Sequence, residues 1–341
     1  MIGKKSWPAA FLVTAIVSGL SPDPAHGPIR ELTAQEAVVI DEWDVPWEGS
    51  RPRDPYVAPD GRVWFVGQTA DYVARLDPAD GSFERFDLEP GAGPHNLIVD
   101  DDGIVWYAGN RDAHIGRLDP ATGDVRTYPM PDPAARDPHT LVFDSRGTIW
   151  FSLQQANMIG RFDPVSGAVD LVPVPTPSSR PYGIVVDAED RPWVSEFAGG
   201  KIATIDPVTL DLLEYELGRA ETRPRRLMIT SDGGIWYVDF AGGMLGRLDR
   251  ETGAVREYEL PGGAGARPYG MVVDEDDMIW LVETGLQPNR FIGFDTEAGE
   301  LVSVTDIPSG AGSVRHMYYD AERRQVWFGT DANTVGRARL P

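Results

Sequence analysis

Short apolar runs rich in β-branched residues alternate with polar turns along most of the chain. Pro181-Tyr-Gly-Ile-Val-Val-Asp187 and Pro268-Tyr-Gly-Met-Val-Val-Asp274 are two copies of one such run. Each ends at an Asp-x-x-Gly-like turn and resumes through a tryptophan, a pattern that predicts two hairpin-linked strands. A third segment follows, as in Ile115-Gly-Arg-Leu-Asp119, and enters the turn Asp119-Pro-Ala-Thr-Gly123. There Pro sets φ and Gly supplies a positive φ. A fourth strand closes the unit and ends in proline, as in Val255-Arg-Glu-Tyr-Glu-Leu-Pro261.

The unit recurs seven times. Its tryptophans fall at Trp64, Trp106, Trp150, Trp193, Trp236, Trp280 and Trp327. A proline lies twelve residues before each of the first six (Pro52, Pro94, Pro138, Pro181, Pro224, Pro268), and Arg315 takes that place in the seventh. Four strands per repeat of roughly 43 residues predict an all-β fold, a seven-bladed β-propeller. The last copy stops after its third strand, at Val335–Leu340, while Asp41-Glu-Trp-Asp-Val-Pro46 reads like the fourth strand Arg256-Glu-Tyr-Glu-Leu-Pro261. Blade 7 is therefore expected to be built from both ends of the chain, which leaves no open edge.

Composition narrows this further. Although 341 residues would suit two domains, seven repeats absorb residues 36–341 into one propeller. Residues 1–27 read as an export signal: Lys4 and Lys5 precede an apolar stretch, Trp7–Leu20, too short to span a bilayer. Residues 28–35 read as a linker, and the expected location is periplasmic or extracellular, with no membrane span in the mature chain. A net charge of −22 argues against nucleic acid and anionic membranes. The absence of cysteine excludes disulfides, thiolate metal sites and a cysteine nucleophile. No phosphate loop, His-Glu-x-x-His or Gly-x-Ser-x-Gly element occurs. The expected partner is a small molecule or glycan at the propeller mouth, and the expected state is a monomer.

The tryptophans read as packing between blades, and the Asp-rich turns at Asp100–Gly103 and Asp274–Asp277 as solvated turns. Candidate chemistry lies one residue after each blade proline. Hairpin counting sets that residue opposite the one fourteen positions later, giving the pairs Arg53/Gly67, His95/Gly109, His139/Leu153, Tyr182/Glu196, Arg225/Asp239, Tyr269/Glu283 and His316/Thr330. Three of the five histidines share this register, and blades 4, 5 and 6 carry an acid opposite. Histidine titrates near neutrality and carboxylates hold hard cations, so proton transfer or metal binding at one channel mouth is chemically open. In the alternative reading Arg180, Arg223 and Arg267 neutralise the three acids as structural ion pairs.

At these residues the chain resembles the virginiamycin B lyase (streptogramin B lyase) family. The likeness rests on the repeated Pro-His/Tyr-Gly-Ile…Trp…Glu unit and the following Ile-Gly-Arg, as in Pro181–Glu196 and Met158–Arg161. The resemblance implies a seven-bladed propeller that opens a cyclic depsipeptide at its ester by Mg²⁺-assisted elimination. His316 is then the candidate general base, with Tyr269 where the family has a second histidine. Glu283 and Glu196 are candidate ligands for Mg²⁺ or another divalent cation, and His95, His139, Tyr182, Arg53 and Arg225 candidate substrate contacts. The family's last-blade Glu-Pro-His is Val314-Arg315-His316 here, and the acid opposite its histidine is Thr330. Three functions remain open: a lyase acting on another ester or a uronate-like ligand, a non-catalytic ligand- or protein-binding propeller, and a metal-dependent lactonase or related hydrolase.

Overall fold

In the computed structural model, which describes residues 38–341, the chain forms seven four-stranded antiparallel sheets arranged as the blades of one propeller. The expected export signal and linker lie outside the described residues. Blade 1 shows the common plan: Pro52–Val57 lines the channel, Val63–Gly67 and Tyr72–Asp77 follow outward, and Ser82–Asp87 is the rim strand. Burial follows that order. The second strands are fully buried in five of the blades, whereas rim strands such as Asp124–Pro129 are mostly exposed. No helix among the described residues is long and apolar enough to cross a membrane.

The ring closes as the sequence predicts. Val39–Asp44 pairs with Thr334–Arg339 over six residues, from Val39↔Arg339 to Asp44↔Thr334. Trp43 stacks on Trp327 at 5.5 Å, and Asn333 Nδ2 donates to the carbonyls of Val45 and Trp47 at 3.0 Å each. One end of the chain therefore covers the core of the other.

Each blade tryptophan is at most 3% exposed and packs into apolar clusters that bridge neighbouring blades. Trp64, for example, shares a cluster with Leu97, Val105 and Tyr107 of blade 2. The glycine of Ile-Gly-Arg lets this packing close: a Cβ on Gly116 would meet the Tyr107 ring at 2.0 Å. The following arginine lies over the tryptophan, as Arg75 does over Trp64 at 5.2 Å.

In four of the blades the first aspartate of the turn does more than face solvent. Asp187 is 8% exposed; its Oδ2 accepts Trp193 Nε1–H at 2.8 Å, and its Oδ1 accepts the backbone N–H groups of Glu189 and Arg191. Asp100, Asp144 and Asp274 make the same bond to Trp106, Trp150 and Trp280, and Thr230 substitutes toward Trp236. The expectation of plain solvated turns is corrected on this point. A buried indole N–H needs an acceptor, and an aspartate six residues upstream supplies it while capping the turn.

Candidate functional site

Strand register decides which side chains meet at the mouth. The proline itself, and not the residue after it, lies opposite the predicted partner: Pro94↔Gly109, Pro181↔Glu196, Pro224↔Asp239, Pro268↔Glu283. Pairing then skips to the third residue beyond, as in Leu97↔Tyr107. Proline has no N–H to give the ladder, and one extra residue is accommodated as a bulge. Because side chains alternate faces, this shift separates two sets that counting had paired. The residues after the prolines gather over the channel, while the acids share the face of the prolines they oppose.

Two of the three acids are occupied there. Asp239 binds Arg219 Nη2 at 2.6 Å and accepts the Arg223 backbone N–H at 2.8 Å. Glu283 accepts Arg290 Nε–H at 2.6 Å and the Gly262 N–H at 2.8 Å. Neutralisation by arginine thus holds for two of the three acids, through different side chains from those expected. Glu196 is fully buried and neither carboxylate oxygen has a hydrogen-bond partner. Burial, then the nearby Glu214, pushes its carboxyl up to about 8. In blade 2 the equivalent slot holds the His114 ring, which a Cβ on Gly109 would meet at 2.2 Å.

The gathered residues form a continuous network. Arg53 Nη1 donates to His95 Nε2 at 3.0 Å, and His95 Nδ1 donates to the His139 carbonyl at 3.2 Å. A guanidinium only donates and a carbonyl only accepts, so His95 is neutral with its proton on Nδ1. The rings of His95 and His139 lie 3.7 Å apart, and His139 and Tyr182 4.2 Å apart. The Tyr182 hydroxyl hydrogen-bonds that of Tyr269 across the channel. Arg225 sits in a cage of aromatic rings, 3.8 Å from the Tyr269 centroid and 4.2 Å from that of Phe240, with Tyr182 and Phe197 also in range.

A second layer lies one residue further on. Arg226 reaches across the channel: Nη1 donates to Thr140 Oγ1 at 3.0 Å, Nε to the Arg315 carbonyl at 3.0 Å, and Nη2 lies 3.5 Å from Asp54 Oδ2. Asn96 Nδ2 donates to the same aspartate at 3.1 Å, and Arg53 Nε stands 3.6 Å from its other oxygen. Sequence reasoning missed this layer. Its signal was polar residues at one strand-interior position in blades 1, 2, 3 and 5 (Asp54, Asn96, Thr140, Arg226).

Electrostatically the mouth is positive. Arg53, Arg225 and Arg226 face one carboxylate, Asp54. Burial, then their charge, keeps His95 and His139 well below the ordinary imidazole range. His316 is partly exposed and its Nδ1 has no partner. Burial, then Arg226 and with it Arg53, against the pull of Asp54, brings His316 down to about 3, leaving a neutral ring. Tyr182 moves the other way from ordinary burial. Desolvation raises it, but Arg225, Arg53 and Arg226 outweigh that and bring it to about 8.

The sequence-predicted residues therefore separate. His316, Tyr269, His95, His139, Tyr182, Arg53 and Arg225 converge on one mouth, whereas Glu283 and Glu196 do not join them. Nor does the donor set suit Mg²⁺, which requires several oxygen ligands. Val314 and Thr330 supply no carboxylate, Glu283 is held by Arg290, and the Arg226 and Arg53 guanidiniums bear on His316. Among the described residues no three His, Asp or Glu side chains form a metal-holding group.

Comparison with known proteins adds a relationship to this geometry. The virginiamycin B lyase family profile matches residues 24–290. A streptogramin B lyase structure superposes at TM-score 0.80 with 25% identity, covering 89% of this chain and 98% of that one. Virginiamycin B lyase from Staphylococcus aureus superposes at 0.80 with 22% identity, over 89% and 100%. A catalytically inactive form of that enzyme, solved with quinupristin, gives the same values. No curated protein sequence matches the chain.

Proposed function

The chain belongs to the virginiamycin B lyase family, and from that premise we propose that it is a lyase cleaving a C–O bond by elimination at the channel mouth. The observation that carries the reading is His316: a neutral, partly exposed ring at the mouth beside Arg226 and Arg53. In the proposed step the neutral imidazole takes a proton from the carbon next to a carbonyl or carboxylate. The C–H pair becomes the C=C bond, and the β C–O pair leaves with its oxygen. Negative charge that develops on the carbonyl side is met by guanidinium, in a site from which water is largely excluded. No step passes through a metal, because the side chains present do not fit one. Tyr182 and Tyr269 orient the ligand through their paired hydroxyls.

A second reading, a non-catalytic ligand-binding propeller, is favoured by one observation. His316 at about 3 is a weak base until an anion reaches the mouth. Export of the mature protein remains part of the proposal, resting on residues 1–27. The experiment is product analysis by mass spectrometry and ultraviolet absorbance, using quinupristin and a panel of esterified uronates. Elimination gives a new C=C absorbance that His316→Ala abolishes. A folded wild-type protein that converts none of them, or a His316→Ala variant as fast as wild type, rejects the lyase.

A further inference from the structure

We infer that the channel mouth binds a carboxylate of its ligand, held by Arg53 and Arg225 with His316 beside it. The inference rests on the lyase reading for the reaction and names the substrate class of that same site. Its grounds are geometric. Arg53 is 95% buried (5% exposed), yet Nε and Nη2 make no hydrogen bond; only Nη1 is used, by His95 and Gln68. Arg225 Nε is likewise buried and unpartnered. The four aromatic rings around Arg225 hold its charge by their faces and supply no counter-anion.

A buried guanidinium is costly unless an anion or acceptor meets it. Asp54 already serves Arg226, Arg53 and Asn96. At the rim, Arg315 and Arg51 are taken by Asp331. Within the mouth Arg225 thus has no carboxylate partner, and Arg53 shares Asp54 with Arg226 while its Nη2 makes no hydrogen bond. The same field brings Tyr182 to about 8, so an anion is favoured where the two phenol oxygens meet. A carboxylate fits a guanidinium fork, and it explains how the site manages without a dication. Pairing with arginine withdraws charge from the carboxylate and acidifies the adjacent C–H, while the anion offsets the arginines that keep His316 a weak base.

The test is a calorimetric titration of the whole protein with D-glucuronate, its methyl ester, N-acetyl-alanine and inorganic phosphate. Saturable binding of a carboxylate is expected, with the ester at least about tenfold weaker, the worth of one charge-assisted hydrogen bond. Glucuronate and N-acetyl-alanine distinguish a sugar acid from a peptide acid. Arg225→Met, which refills the aromatic cage without charge, and Arg53→Gln should each weaken binding about tenfold or more. Arg324→Gln, at the surface, should leave it unchanged. Should Arg53→Gln fail to fold, Arg225→Met with a native circular dichroism spectrum decides. Equal binding of acid and ester, tighter binding of phosphate, no saturable carboxylate binding, or wild-type affinity in folded Arg225→Met overturns the inference. Carboxylate binding without C=C product on any ester rejects the lyase and leaves the inference standing. Elimination of quinupristin without carboxylate binding does the reverse.

Discussion

Asp54→Asn removes the one carboxylate among three guanidiniums while keeping shape and backbone preference. Position 54 has φ 47°, a left-handed conformation that asparagine adopts as readily as aspartate. The side chain is 1% exposed and holds Arg226 at 3.5 Å, Arg53 at 3.6 Å and Asn96 at 3.1 Å. Breaking a buried ion pair from one side costs about 3–5 kcal/mol, because the surviving charge is left uncompensated. With unfolding entropy of roughly 2.1 cal/mol/K per residue over about 300 residues, that is a fall in Tm of about 5–8 °C. The pH dependence supplies a second check. Burial would raise the Asp54 carboxyl, but Arg53, Arg226 and the Asn96 hydrogen bond bring it below the usual carboxylate range. A depressed folded pKa contributes stability that is full above the unfolded value, about 3.9, and is lost as pH falls through the folded one. Thermal melts followed by circular dichroism should show the wild-type advantage at pH 7 and its narrowing below about pH 4. Adding Arg226→Met to Asp54→Asn should recover part of the loss. A single variant melting within about 1 °C of wild type at pH 7 would refute the account of the channel plug.

Three further outcomes follow from the same structure. Deleting residues 36–46 removes the strand that closes blade 7 and uncovers Trp327, so a scanning calorimetry Tm should drop sharply; an unchanged melt contradicts closure by that strand. Asp187→Ala leaves the Trp193 indole N–H and two turn N–H groups short of an acceptor, costing about 1–3 kcal/mol in urea unfolding. Glu196, raised to about 8 by burial and then Glu214, binds its proton more tightly folded than unfolded. Wild-type stability should therefore fall as pH climbs from about 4.3 through about 8. Glu196→Gln should match wild type near pH 4 and exceed it by about 2–4 kcal/mol at pH 9; parallel pH curves would remove the buried acid from the account.

Much of the fold was legible because it repeats. A tryptophan and a proline twelve residues apart, copied round the ring, disclose seven blades, and Trp43 beside Val335–Leu340 discloses the closure. The site was legible only in part. Residues following the prolines, His95, His139, Tyr182 and Arg225 among them, stand in one register and do meet. Their partners were misassigned, because hairpin counting assumes regular pairing and the bulge after each proline adds a residue that the turn does not announce. That one-residue error set Glu283 and Glu196 opposite the channel residues, when they instead lie opposite Pro268 and Pro181. The Arg226–Asp54 link was illegible for a different reason. It joins blades 5 and 1 across the ring, and no local pattern specifies which side chain spans the channel. The Asp–Trp bonds, by contrast, carried a signal in the constant spacing of six residues.

The central claim is that arginines, and not a metal ion, supply the positive charge at which His316 performs elimination. It is tested most directly by the rate of C=C formation from an acid ester in the presence of excess EDTA. The account predicts an undiminished rate in chelator and none from His316→Ala. A rate that vanishes with EDTA and returns with Mg²⁺ would contradict it.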